Sequence, residues 1–146
     1  MTVLGLALHT HCWHWAVWRE GKAFSRGREK LRVADRVHAW QMQRFLLAWQ
    51  FQEWLLALVD QEDVNLVALA PVKESNLEHQ CLLGALVCVG AVYEVPVACP
   101  TLGELEVAGL VPQGRGNHRL AGPALAAAVA RLPMMQPRVA PPDMLS

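Results

Sequence analysis

The sequence lacks several features that mark special classes of protein. It has no run of about 18 uncharged apolar residues, so we expect no transmembrane helix. Its first residues lack the basic segment of a secretory signal. The four cysteines form neither a CxxC pair nor a dense framework, which favours reduced thiols. We therefore expect a cytoplasmic protein without disulfides.

What the sequence does contain is enough apolar material for one hydrophobic core. The chain has 146 residues, of which 53% are hydrophobic. This length is close to the most common size of a single domain, and the composition is not that of a disordered chain. We expect one globular domain.

The charges sum to zero but are unevenly distributed. Residues 19–44 carry eight Arg and Lys against three acids, whereas residues 45–111 carry only Lys73 against nine acids. Residues 112–146 are again basic, with four arginines against one aspartate. Such asymmetry indicates either a surface for a polyanion or an ordinary solvated surface.

Hydrophobic periodicity predicts an alternation of strands and helices. Three strands with short turns come first, then helices and two further strands follow in turn. The predicted strands are 3–8, 13–19, 22–33, 64–70 and 95–99, and the predicted helices are 34–59, 75–92, 101–109 and 121–132. Three antiparallel strands followed by two strand–helix crossovers is the order of an α/β fold of the RNase H-like type, with a mixed five-stranded sheet. We expect this domain over residues 1–132 and a proline-rich flexible tail over 133–146.

Six tryptophans lie in two of these elements. Trp40, Trp49 and Trp54 belong to the long helix, and we expect them to pack it onto the sheet. Trp13 and Trp15 share one face of the second strand, and we expect core burial there as well.

Several stretches, in this order, resemble the RuvC branch of the RNase H-like superfamily, the Holliday junction resolvases. An apolar strand is followed by a second strand of the pattern HWAVW, and Asn76 and Gly84 match an Asn and a Gly of the family's central helix. The matching stretches are VLGLAL (3–8), HWAVW (14–18), VNLVALA (64–70), VPVACPTLGELEVAG (95–109) and GRGNHRLAGPALAAAVARL (114–132).

The resemblance implies a nuclease site that this sequence does not complete. RuvC-type nucleases hold two divalent metals with four carboxylates from the first strand, the fourth strand and the last helix, and Mg²⁺ requires oxygen ligands. The corresponding positions here are Ala7, Ala70, Leu120 and Pro123. We therefore expect no catalytic residue and no cofactor. In this family the central helix forms the dimer interface, so the resemblance implies a homodimer through helix 75–92; burial of that helix by the long helix is the alternative.

A cluster of three histidines and one cysteine follows the first strand: His9, His11, Cys12 and His14. Zn²⁺ accepts such ligands, but this spacing matches no known zinc motif. The alternatives are an ordinary polar turn, a zinc site, or polar contacts to a nucleic acid.

Basic residues form the second candidate site. Alternate residues of the third strand share a face, and a glycine-rich loop near residue 115 has backbone amides that can approach phosphate. The candidate nucleic-acid-binding residues are Arg26, Arg28, Lys30, Arg32, Lys73, Arg115 and Arg119.

Three functional hypotheses follow from these features. The first is a RuvC-like pseudo-nuclease that binds DNA, including branched DNA, in recombination or repair. The second is a non-enzymatic protein-interaction scaffold within a larger complex. The third is a metal-dependent enzyme that uses the histidines.

Overall fold

The elements of the fold follow the predicted order. The computed structural model describes residues 1–9, 12–19, 22–30, 42–72, 76–112 and 122–135. The elements in these ranges are β1 (Thr2–Leu8), β2 (Cys12–Arg19), β3 (Lys22–Lys30), α1 (Gln43–Glu62), β4 (Leu66–Leu69), α2 (Leu77–Tyr93), β5 (Val97–Ala98), α3 (Leu102–Val107) and α4 (Gly122–Met135).

The five strands form one mixed sheet in the order β3-β2-β1-β4-β5. β1 pairs antiparallel with β2, and β2 pairs antiparallel with β3. β1 and β4 are parallel, as are β4 and β5. Short turns can join antiparallel strands, whereas parallel neighbours need crossover connections, which contain α1 and α2 here. The predicted α/β fold with a mixed five-stranded sheet is confirmed.

Helices cover the sheet on both faces, so the central strand β1 is buried along its whole length. Leu4 and Leu6 of β1 belong to the core beneath α1 and α2. Val3 and Ala7, which point to the opposite face, belong to a second core with α4. This two-sided burial explains why VLGLAL reads as a continuous apolar run rather than an alternating one.

α4 packs very closely on the sheet at Gly5. A β-carbon at this position would overlap the backbone carbonyl of Ala126 and the side chain of Ala130. Small residues on both elements therefore allow α4 to lie directly against β1.

The boundary and packing of α1 differ in part from the prediction. Residues 34–41 of the predicted helix, including Trp40, lie outside the described residues, and the helix ends at Glu62 rather than at 59. Trp54 packs against Trp13 as expected, with ring centroids 5.6 Å apart. The prediction for Trp49 is wrong, because 59% of its side chain is exposed. Leu47, Phe51 and Leu55 fill the inward face instead.

The caps of the later helices follow local sequence signals. The side chain of Asn76 accepts a hydrogen bond from the His79 backbone amide at 2.9 Å and caps α2. The helix therefore begins at Leu77, two residues later than predicted. Thr101 and Glu104 form a capping box at the beginning of α3.

The last helix extends beyond its predicted end. α4 continues through Pro133 to Met135, so the prediction that the flexible tail begins at Pro133 is wrong for residues 133–135. Met134 packs against the α4-side core, and this contact favours the additional turn. The rest of the predicted tail, residues 136–146, lies outside the described residues.

Candidate functional site

Two alanines meet where the sequence resemblance expects carboxylates. Ala7 lies near the end of β1, and Ala70 directly follows β4, the parallel neighbour of β1. The Ala70 amide donates a hydrogen bond of 2.8 Å to the Leu6 carbonyl. The two alanines are 2% and 3% exposed and belong to one apolar cluster. The carboxyl ends of parallel strands are a usual place for ligands in α/β folds, but methyl groups occupy it here.

The beginning of α4 approaches the same end of the sheet. Pro123 stands in its first turn, and Ala126 packs into the cluster that contains Ala7 and Ala70. Leu120, the remaining position, lies outside the described residues. α4 contains no acidic residue. Since Mg²⁺ and Mn²⁺ prefer oxygen ligands, the side chains at Ala7, Ala70 and Pro123 do not fit a two-metal site.

Two histidines lie beside these alanines. His14 on β2 is the direct cross-strand partner of Ala7, so both side chains are on the face that α4 covers. His9 follows β1, and its ring contacts the ring of His14 edge to face, with centroids 5.2 Å apart. Its backbone amide donates to the Cys12 carbonyl at 2.9 Å.

The same region was the candidate zinc site. Cys12 is two residues from His14 on β2, so the two side chains share a face. Within the described residues, no three His, Cys, Asp or Glu side chains come together in a way that could hold a metal ion. His11 lies outside the described part of the chain.

His14 is held in an environment that disfavours its charged form. Its Nδ1 atom is buried and has no hydrogen-bond partner in the described structure. Burial lowers the pKa of His14 below its usual range, and the nearby charges of His9 and Arg28 lower it further. A neutral ring with its proton on Nε2 leaves only a lone pair unpaired at Nδ1, which costs less than an unpaired buried N–H.

An exposed row of cations, here called the basic stripe, runs along β3 and consists of Arg26, Arg28 and Lys30. In the register of the sheet they lie opposite Ala16, His14 and Cys12 of β2, respectively. The predicted common face is therefore present, and it is the face on which Ala7 and His14 lie. The other candidate cations, Arg32, Lys73, Arg115 and Arg119, lie outside the described residues.

α2 is apolar on two sides, and the described part of the chain covers only one of them. Leu82, Leu86 and Val89 pack inward toward α1. The opposite side, here called the α2 outer face, is exposed and consists of Gly84, Val87, Cys88, Ala91 and Val92. Packing against α1 therefore accounts for the apolar residues on only one side of this helix.

Sequence reasoning missed a second exposed apolar feature on α1. Phe45 and Trp49, four residues apart, are both more than half exposed. The available signal was their spacing, which places both on one side of the helix, away from Leu47 and Phe51.

The sheet order and flanking helices define the class of the fold as RNase H-like, of the RuvC type. Among the solved structures similar to this chain are two that match over nearly their whole length. One is Thermus thermophilus RuvC in complex with a Holliday junction substrate, with a TM-score of 0.68 and 14% identity, covering 90% of this chain and 91% of that one. Another is Thermus thermophilus RuvC, with a TM-score of 0.65 and 16% identity, covering 90% of this chain and 92% of that one.

Sequence comparisons add nothing to this structural likeness. No protein-family model matches the chain, and no curated protein matches it. Identities this low show a shared fold alone. In the described part of the chain, no helix is both long and apolar enough to cross a membrane.

Proposed function

We propose that this protein is a RuvC-like pseudo-nuclease that binds DNA, including branched DNA, in recombination or repair, without cleaving it. The observation that carries this proposal is the pair of buried alanines, Ala7 and Ala70, at the carboxyl ends of adjacent parallel strands. In the RuvC family, which the sequence resembles, the corresponding two positions supply metal-binding carboxylates. Methyl groups cannot coordinate a metal, so these two positions supply no ligands for a two-metal route to phosphodiester cleavage.

Two observations support the proposal that the chain binds DNA. One similar structure is of RuvC with a Holliday junction substrate. In this chain the basic stripe, Arg26, Arg28 and Lys30, is exposed on the face that carries Ala7 and His14. Cations spaced along a strand contact phosphates by charge rather than reading bases, so binding should weaken steeply with salt.

The α2 outer face supports a homodimer. It is exposed, apolar and continuous along one side of a 17-residue helix. At Gly84, apart from its chain neighbours and the backbone of α2 itself, no described atom lies within 4 Å of the place where a β-carbon would stand. A second copy of α2 can therefore approach the backbone closely there. A dimer would present two basic stripes to a branched substrate.

The four cysteines are all free, which supports a cytoplasmic location.

A non-enzymatic protein-interaction scaffold within a larger complex is the second candidate. The exposed side chains of Phe45 and Trp49 favour it, because exposed aromatic residues are enriched at protein interfaces. In this case the DNA contacts would be weak and would not depend on the structure of the DNA.

Titration of the full chain with a four-way junction, a matched duplex and a single strand tests the proposal. The titration is run at two salt concentrations, with and without Mg²⁺ and Mn²⁺, and the strands are then separated under denaturing conditions. We expect preferential junction binding with intact strands. Cleavage in the presence of metal would overturn the loss of nuclease activity. Equal weak binding to all three DNAs, or none, would favour the interaction scaffold.

A further inference from the structure

Beside the two alanines lies a cluster of nitrogen donors with no acid among its members. It consists of His9, His14 and Arg28. His9 and His14 touch edge to face, and Arg28 is the direct cross-strand partner of His14. Side chains of directly opposed residues lie on one face with β-carbons about 5 Å apart. The three groups are therefore neighbours on one face, with His14 between His9 and Arg28.

This location is adjacent to the position of the expected metal ligands. His14 pairs with Ala7 across the sheet, and His9 is two residues beyond Ala7. The sheet thus places donor nitrogens next to the position where the resemblance expects carboxylates. A carboxylate site would attract metal cations, whereas imidazole and guanidinium groups attract anions.

The beginning of α4 also favours an anion at this location. Gly122 lies against the His14 ring so closely that a β-carbon there would overlap it. α4 is 14 residues long and has no acid in its first turn. The first turn of an α-helix has N–H groups without partners inside the helix and a partial positive charge, and both favour an anion nearby.

The half-buried ring of His14 supplies a directed donor. Because Nδ1 is enclosed and unpaired in the described structure, the neutral form with the proton on Nε2 is the one that leaves no buried N–H unpaired. An acceptor such as a phosphate oxygen could receive a hydrogen bond from Nε2–H while the ring stays neutral. Arg28 and His9 are both exposed and accessible to a ligand from solvent.

We propose that His9, His14 and Arg28 form a phosphate-binding site that holds a phosphodiester of the DNA backbone beside the lost metal centre. The inference rests on the proposed DNA-binding function, and it names the group that is bound and the residues that bind it. The Arg28 guanidinium and the N–H groups of the imidazole rings take the place of metal ions at the phosphate. No bond is made or broken, so the bound strand stays intact.

The sheet register provides a matched pair of variants. Arg28 and Arg26 are both exposed, lie on the same strand and face, and differ in their partners: Arg28 opposes His14, and Arg26 opposes Ala16. Arg28→Gln and Arg26→Gln remove the same charge. Since both side chains are on the surface, both variants should fold.

The experiment records long-range ¹H–¹⁵N spectra of the histidines in the full chain, with EDTA present to remove metals. Inorganic phosphate is titrated first, and four-way junction DNA is titrated into a separate sample. We expect both to shift the His9 and His14 signals saturably. Arg28→Gln should weaken phosphate binding about tenfold or more, because it removes a charge-assisted contact. Arg26→Gln should weaken it by no more than about threefold, through the general field.

The results of these titrations distinguish a failure of the phosphate site from a failure of the proposed DNA binding. If the junction binds, but the histidine signals stay unchanged and the two arginine variants weaken binding equally, the phosphate site is wrong and DNA binding stands. If phosphate shifts the histidines but no DNA binds, the assignment of the phosphate to nucleic acid is overturned together with the proposed function.

Discussion

The ring of His14 lies directly beneath Gly122, the first residue of α4, although the two are more than a hundred positions apart in the sequence. A β-carbon at position 122 would overlap the imidazole carbons and Nε2. This contact fixes the distance between the beginning of α4 and β2. It also explains why the beginning of the helix and the histidine pair share one location.

Gly122→Ala should therefore destabilise the fold. Overpacking of this kind typically costs about 1–3 kcal/mol, because either α4 or the His14 ring must move. Chemical denaturation measures the free energy of unfolding. Gly103→Ala is the control, since a β-carbon there meets only the Thr101 hydroxyl at an ordinary 3.9 Å. Equal stability of the two variants would contradict the close contact.

Restoring carboxylates at the two alanines tests whether the metal centre is lost or merely misidentified. Ala7→Asp combined with Ala70→Glu places two acids among buried apolar groups, so we expect a marked loss of thermal stability. If the positions correspond to metal ligands, Mn²⁺ should raise the melting temperature of the double variant but not that of the natural protein.

Ala16→Asp is the matched control for this restoration. Ala16 is equally buried in the same cluster, but it lies two residues along β2 from His14. The acid at position 16 should destabilise the protein without rescue by Mn²⁺. Rescue of both variants, or of neither, would contradict the proposed correspondence of Ala7 and Ala70 with the metal ligands.

Local sequence signals were sufficient for the order and type of the elements. The apolar run of β1 and the cap at Thr101 depend on neighbours a few residues away, which a single sequence displays directly. The exposure of Trp49 could not be predicted in this way. α1 has apolar residues on both its inner and outer sides, so periodicity does not reveal which side the sheet covers.

Only part of the candidate site could be predicted from the sequence, because its contacts join residues that are far apart in the chain. Alternation along β3 placed Arg26, Arg28 and Lys30 on one face, but it did not give their partners. Strand register decides that Arg28, rather than Arg26, opposes His14. The register and the contact with Gly122 join distant parts of the chain, and short-range spacing does not encode them.

The proposed homodimer predicts that a charge on the α2 outer face separates the subunits. Val87 is 64% exposed, so Val87→Glu should leave the stability of the subunit within about 0.5 kcal/mol. In a dimer the same glutamate would be buried against its copy, and it should shift the protein to monomers in sedimentation analysis. Val107→Glu on α3, at an 85% exposed position, should leave the mass unchanged. A monomeric natural protein would contradict the dimer.

The lowered pKa of His14 predicts a loss of stability in mild acid. Burial is the main cause, followed by the charges of His9 and Arg28. Cys12 and Lys30 also lie on this face, while Gly122 presents only backbone from α4. In the unfolded chain the imidazole has its ordinary pKa of about 6.5, so the unfolded state binds a proton first as the pH falls.

Because the unfolded state binds more protons in this window, the free energy of unfolding decreases as the pH falls through about 6.5 toward the lower pKa of folded His14. Above that window the contribution of His14 is constant. Denaturant titrations across this range should show the decrease, and His14→Gln should flatten it. Phosphate should also reduce this loss of stability in acid, because an anion beside the ring favours the protonated form and raises the pKa of His14. A pH profile that His14→Gln leaves unchanged would show that another group carries the effect.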